Sequence, residues 1–266
     1  MYRCEVDARI SAMAVHPDQN SIFMAMGTGH LGHFDRRAGP KEVSYYPITT
    51  KKLACCDINP VDPNYIATSG LNYTVQVWDR RKLSPTVSIA SEGEDPDVKG
   101  EVWSYHQGRA ISACHWDPRG EQLLTTSHDN SLRIWQRPIK GSDDAHVIEH
   151  NNFTGHFFYM QKQRESGCSQ GERIGRWITN FRAIWSPNTS QSSFLVGNMK
   201  RAIDIYSGTT GRPLALKHDE ELVTAIPAVN AYHPTYGVDT TDQIMWMSAN
   251  ASGKCLLWGT PEVATL

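Results

Sequence analysis

Two groups of side chains in this 266-residue sequence have the types and spacing to do chemistry with a partner. The first is Trp78-Asp79-Arg80-Arg81-Lys82, which has a degenerate copy, Phe34-Asp35-Arg36-Arg37, earlier in the chain. Arginine carries a planar fork of N–H donors that can satisfy carboxylates or carbonyls on another molecule. The same geometry also lets Arg81 pair with its own Asp79 or with a neighbouring element. The second group is Lys200-Arg201 on a predicted turn, where two cations can contact phosphate or stand solvated. Ser127-His128-Asp129 has the residue types of a nucleophile, a base and an orienting acid. Adjacent residues cannot form a triad, because nucleophile and base must face each other from separate places. Turn chemistry accounts for the three better. The scattered histidines (His16, His30, His33, His115, His150, His218 and His233) have no metal-ligand spacing. No catalytic residue, metal site or cofactor is therefore expected.

The elements that carry these residues repeat five times, at 10–37, 53–81, 111–137, 181–208 and 223–259. Each repeat opens with an alternating apolar stretch ending before proline (Pro17, Pro60, Pro118, Pro187, Pro234) and closes on an aromatic residue (Phe34, Trp78, Trp135, Tyr206, Trp258). Residues 66–82 are the clearest case. Ile66 and Thr68 begin one predicted strand, Gly70 to Asn72 supply a turn, and Thr74 to Trp78 form a second strand. A strand pair closed by Trp-Asp looks like the end of a WD repeat, the four-stranded blade of a β-propeller. A lone four-stranded meander cannot bury both faces, whereas blades stacked around an axis can. The expected fold is thus all-β, a single WD-repeat propeller over 1–266. The segment EVWSYH at 101–106 reads as an outer strand. Asp129 and Trp135 match the hydrogen-bonded Asp and Trp that tie blade strands together.

The closing aromatics lie 44, 57, 71 and 52 residues apart, and a blade takes about 40–45, so the excess is loop. An acidic, turn-rich segment at 91–99 reads as a solvated loop. Residues 156–175 have no strand alternation, and without them the longest spacing falls in line with its neighbour. They read as an insert in a blade-connecting segment. Residues 1–6 could supply an outer strand closing a five-bladed ring. The favoured expectation is part of a seven-bladed ring, lacking two N-terminal blades. The net charge of −2 argues against a wholly basic nucleic-acid coat and leaves local patches open. Six cysteines without C-x-x-C spacing read as buried, reduced thiols. No apolar run is long enough to cross a membrane as a helix.

Four segments carry a more specific resemblance: WDRRK at 78–82; HNNFTG at 150–155 continuing as RWITNFRAIWSP at 176–187; VGNMKR at 196–201; and LVTAIPAVNAYHP at 222–234 with SANASGKCLLW at 248–258. Over roughly residues 45–259 the chain resembles the WD-repeat family of damaged-DNA-binding subunit two, in the branch of WD repeat-containing protein 76 and the yeast changed-mutation-rate protein. The resemblance implies a non-enzymatic, nuclear protein that binds double-stranded DNA and chromatin in the DNA damage response. It implies backbone contact at Lys52, beside Lys51. It also implies a DNA-inserting hairpin that falls on Gly155, Arg176 and Trp177, where an aromatic wedge can replace a displaced base. Lys200 and Arg201 would add phosphate contacts. The insert splits Gly155 from Arg176 and is expected to displace that hairpin and blunt binding. Relatives dock the adaptor subunit of cullin-4 ubiquitin ligases through a W-D-x-R box, here Trp78, Asp79 and Arg81, with Arg37 in the degenerate copy. No membrane and no small-molecule substrate is implied. The alternative reading is a protein-interaction scaffold that does not bind DNA directly.

Overall fold

The computed structural model describes residues 9–38, 43–85, 96, 98–150, 180–233, 245–250 and 252–259. The chain divides into two compact units, 1–147 and 148–266. All the sheets are antiparallel meanders, so the all-β β-propeller expectation is borne out, with five blades detected.

The first unit holds three blades. Blade one is β1 (Ile10–Val15), β2 (Ser21–Met26), β3 (His30–Asp35) and β4 (Val43–Pro47). Blade two is β5 (Leu53–Ile58), β6 (Tyr65–Gly70), β7 (Thr74–Asp79) and β8 (Glu101–His106), so EVWSYH is its outer strand. Blade three is β9 (Ile111–Trp116), β10 (Gln122–Ser127), β11 (Ser131–Gln136) and β12 (Ala145–Glu149), the last lying across the boundary between units. The second unit holds blade four, β13 (Ile184–Trp185), β14 (Ser193–Gly197), β15 (Ile203–Ser207) and β16 (Pro213–Lys217). Blade five has three strands among the described residues: β17 (Pro227–Tyr232), β18 (Met245–Asn250) and β19 (Cys255–Gly259).

Strand alternation explains why the blades stack. Successive side chains point to opposite faces of a sheet, and in blade two both faces are buried. Leu53, Cys56, Ile58, Ile66 and Trp78 pack with Phe23, Ala25 and Leu31 of blade one. Cys55, Ala67, Val75 and Val77 pack with Ile111, Cys114, Leu123 and Trp135 of blade three. Each fully buried large apolar side chain contributes about 1.5–3 kcal/mol. A single blade exposing either face would forgo that contribution. In the second unit, Leu195, Ile203 and Trp246 form the corresponding core.

A hydrogen bond repeats inside three blades. Trp78 Nε1 donates to Thr68 Oγ1 at 2.9 Å, Trp135 Nε1 to Thr125 Oγ1 at 3.1 Å, and Trp258 Nε1 to Ser248 Oγ at 2.8 Å. Asp129 and Trp135, matched on sequence to the hydrogen-bonded pair that ties blade strands together, are the two ends of one hydrogen-bonded chain. Trp135 is satisfied by Thr125, which also accepts from Gln107 Nε2; Gln107 Oε1 accepts from Arg133, and Arg133 donates to Asp129 Oδ2 at 2.7 Å.

The turn of blade two also differs from expectation. Gly70 ends β6, and the turn is 71–73, with Tyr73 in the left-handed region at φ 64°. Gly70 is required by close approach. A Cβ there would lie 2.3 Å from the Lys52 carbonyl oxygen. The cysteine expectation holds for Cys55, Cys56 and Cys114, which are buried thiols outside any disulfide, whereas Cys255 on β19 is exposed. No described helix is long and apolar enough to cross a membrane.

Candidate nucleic-acid and partner-docking sites

In an antiparallel blade, the connection into the first strand and the turn between the second and third emerge at one end. The turn between the first two strands and the exit of the third emerge at the other. Lys51 and Lys52 therefore share an end of blade two with the 71–73 turn. Their backbone is held from both sides. The Lys51 N–H donates to Thr49 Oγ1 at 3.2 Å, and the Leu71 N–H donates to the Lys52 carbonyl at 2.9 Å. Lys51 is exposed and Lys52 half-buried. Among the described residues neither ammonium has a carboxylate within ion-pair distance.

Lys200 and Arg201 occupy the equivalent turn of blade four, between β14 and β15. Buried Asn198 organises it. Asn198 Oδ1 accepts from the Lys200 N–H at 2.8 Å and the Ala202 N–H at 3.1 Å, and its Nδ2 donates to Asp204 Oδ2 at 2.8 Å. His150 Nε2 reaches the same carboxylate oxygen at 2.8 Å from a fully buried position. His150, grouped among the scattered histidines on sequence, is thus part of the brace beneath the turn. Lys200 and Arg201 are exposed and without carboxylate partners among the described residues. With Met199, His218, Glu220 and Val223 they line an open hollow of about 400 Å³. The His218 Nδ1–H donates to the Arg201 carbonyl at 3.0 Å. Glu220 is the group on this hollow that would oppose an anion.

Arg201 adopts φ 62°, a left-handed conformation that costs a non-glycine residue about 1–2 kcal/mol. Arg201→Gly should therefore leave thermal unfolding unchanged or raise stability by up to about 1 kcal/mol, while removing the cation. A fall in stability would mean that the arginine side chain holds the turn.

Of the expected inserting hairpin, Gly155, Arg176 and Trp177 lie outside the described residues, as does the insert at 156–175.

The other end of the first unit carries the paired arginines. Trp78 and Asp79 are buried, so they position Arg81 and are not themselves on the surface. Asp79 caps a short 3-10 turn (Arg80–Lys82) by accepting from the Arg81 N–H. It also receives the Arg81 fork, Nε to Oδ1 at 2.8 Å and Nη2 to Oδ2 at 2.9 Å. Arg37 closes on Asp35 in the same way, at 3.0 and 2.8 Å. Those hydrogen bonds hold Asp35 down to about 2 and Asp79 below the usual carboxylate range. Both carboxylates thus stay ionised and keep their arginines half-neutralised. Each arginine uses two of its five N–H donors internally. Both side chains remain mostly exposed, 58% for Arg81 and 64% for Arg37.

Ser127 ends β10, and His128 and Asp129 begin the turn after it: Asp129 Oδ1 accepts from the Ser131 N–H at 3.0 Å, and the Asp129 N–H donates to Ser127 Oγ at 3.4 Å. A juxtaposition that sequence reading missed lies between β5 and β9. Cys55 Sγ is 3.9 Å from His115 Nε2, and His115 Nδ1 is 3.5 Å from Asp57. Cys55 is 0% exposed, which closes it to any substrate.

The family described as WD domain, G-beta repeat, matches residues 100–136. The chain is similar to the DNA damage-binding protein CMR1 of Phaeosphaeria nodorum, 28% identical over 95% of this chain and 44% of that protein. It is also similar to the CMR1 of Cryptococcus neoformans var. neoformans serotype D, 27% identical over 96% of this chain and 49% of that one. A third relative is the cmr1 of Neurospora crassa, 28% identical over 95% and 44%. The resemblance drawn from the four segments is borne out as distant homology to this fungal WD40 protein across nearly the whole chain. The chain spans less than half the length of these relatives.

Proposed function

We propose that this chain is a non-enzymatic, nuclear DNA-binding WD-repeat protein that engages damaged DNA and chromatin through Lys51, Lys52, Lys200 and Arg201. The observation that carries the reading is a contrast in charge pairing. Arg37 and Arg81 are held by their own aspartates, whereas the four cations at turn ends have no carboxylate partner among the described residues. Cations left this way can be neutralised by phosphate, with release of counterions. The relatives' name, DNA damage-binding protein, supports the same reading. The opposite blade end would present the outer edges of Arg81 and Arg37 to the adaptor subunit of a cullin-4 ubiquitin ligase. There the partner would meet guanidiniums already oriented by Asp79 and Asp35.

The test is fluorescence anisotropy of a labelled duplex, intact and lesion-bearing, over a salt series. The wild-type affinity should fall linearly on a log–log salt plot. Lys200→Glu with Arg201→Glu should weaken binding and flatten the slope by about one for each phosphate no longer neutralised. A folded sample that binds neither duplex at low salt would leave the protein-interaction scaffold as the reading.

A further inference from the structure

We propose that the hollow between blades one and two, lined by Phe23, His33, Tyr46, Arg80 and Arg81, is a binding site for a carboxylate, the Asp or Glu side chain of a partner protein. The hollow is open and offers about 140 Å³, room for one side chain. Its chemistry centres on Arg80, which the W-D-x-R spacing passes over. The other arginines at this end have partners: Arg36 donates to the Gln19 carbonyl, Arg37 to Asp35 and Arg81 to Asp79. Arg80 is half-buried, its Nε is buried without a hydrogen-bond partner, and no carboxylate among the described residues pairs with it. Its backbone is fixed, the N–H donating to the Asn64 carbonyl at 2.9 Å, so the side chain starts from a defined place.

A second nitrogen without a partner belongs to a residue lining the same hollow. His33 Nε2 is buried and has no partner. The ring is held by stacking on Phe23, with centroids 4.5 Å apart and planes 14° from parallel, and it lies 6.5 Å from Tyr46. Burial lowers the pKa of His33, so it presents a neutral ring at neutral pH. The carboxylates that act on His33 already have partners: Asp35 is held by Arg37, and Asp18 accepts from the Asn20 and Ser21 backbone.

A buried polar atom without a partner is exceptional in folded proteins. A half-buried guanidinium and a histidine ring, each with one such nitrogen, line this one hollow, and a ligand that accepts hydrogen bonds and carries negative charge would suit them. A carboxylate does both: its oxygens suit the planar guanidinium edge, and one can also accept from the imidazole in its Nε2–H tautomer. The aromatic walls would cover the aliphatic stem. The site does not depend on DNA binding, and it differs from the Arg81 docking reading in the residue that makes the contact.

The direct test is NMR observation of the Arg80 Nε–H and the His33 ring during titration with N-acetylglutamate N-methylamide. The glutamine analogue and inorganic phosphate serve as parallel probes. The glutamate probe should shift both signals saturably and the glutamine analogue should not. Arg80→Gln should lower the affinity reported by His33 at least tenfold. Arg80→Lys, which keeps the charge and loses the fork, should fall between. Absence of a saturable shift, an equal response to the glutamine analogue, or unchanged affinity in Arg80→Gln with an unaltered unfolding midpoint would overturn the assignment. Tighter binding of phosphate than of the glutamate probe would overturn the carboxylate as its ligand.

Discussion

Trp135→Ala should destabilise the chain by about 3–5 kcal/mol, the range for truncating a large buried aromatic. Total stability of a folded domain is only about 5–15 kcal/mol, so this substitution removes a large share of it. The side chain is 1% exposed and lies in the core shared by blades two and three. Trp103 meets it edge-on at 5.0 Å and Tyr105 at 4.5 Å, both from the outer strand of blade two. Its loss would therefore open a cavity between blades as well as within one. Trp135→Phe separates packing from hydrogen bonding. It keeps most of the buried area and deletes the N–H that Thr125 accepts. Because Gln107 still donates to Thr125 Oγ1 at 3.1 Å, that oxygen is not orphaned, and the cost should stay near about 1 kcal/mol. Denaturant unfolding of the two variants measures both values. If Trp135→Ala unfolds within about 1 kcal/mol of wild type, the inter-blade core is not what holds these blades together.

How much of this is legible in the sequence depends on how far apart the determining residues lie. The blade strands are legible because alternation and closing aromatics are local features. The bond from each Trp to a hydroxyl is legible in principle, since Thr68, Thr125 and Ser248 each precede their tryptophan by ten residues. The pairing of Arg81 with Asp79 and of Arg37 with Asp35 spans two residues, and spacing alone leaves it as an alternative to docking. The Gly70 approach is not legible, because its cause is the Lys52 carbonyl in the preceding connection. Nor is the His150–Asp204 contact, which joins residues on either side of a long segment. Arg80 is invisible for another reason. A cation's importance at a site depends on which carboxylates fail to reach it, and that is a property of the folded surroundings.

The same dependence makes Lys52→Glu the substitution with the largest expected effect on function, a loss of duplex affinity of about tenfold or more at low salt. Reversing the sign replaces attraction to phosphate with repulsion. The backbone cannot shift to relieve the change, since the Leu71 N–H holds the Lys52 carbonyl at 2.9 Å and Gly70 lies against it, and the residue is half-buried. Lys51→Glu should cost less, because that side chain is exposed and can swing away into solvent. Folding should be preserved in both, as neither lysine forms an ion pair among the described residues. The deficit should shrink as salt is raised, because exposed charges are screened beyond about 8 Å at physiological ionic strength. Arg81→Ala supplies the reciprocal control: it should leave duplex affinity intact, since it lies at the opposite end of the blade. Anisotropy of all three variants on one duplex decides the matter. Unchanged affinity in folded Lys52→Glu would move the DNA contact away from this end of blade two, and a loss in Arg81→Ala would move it to the other.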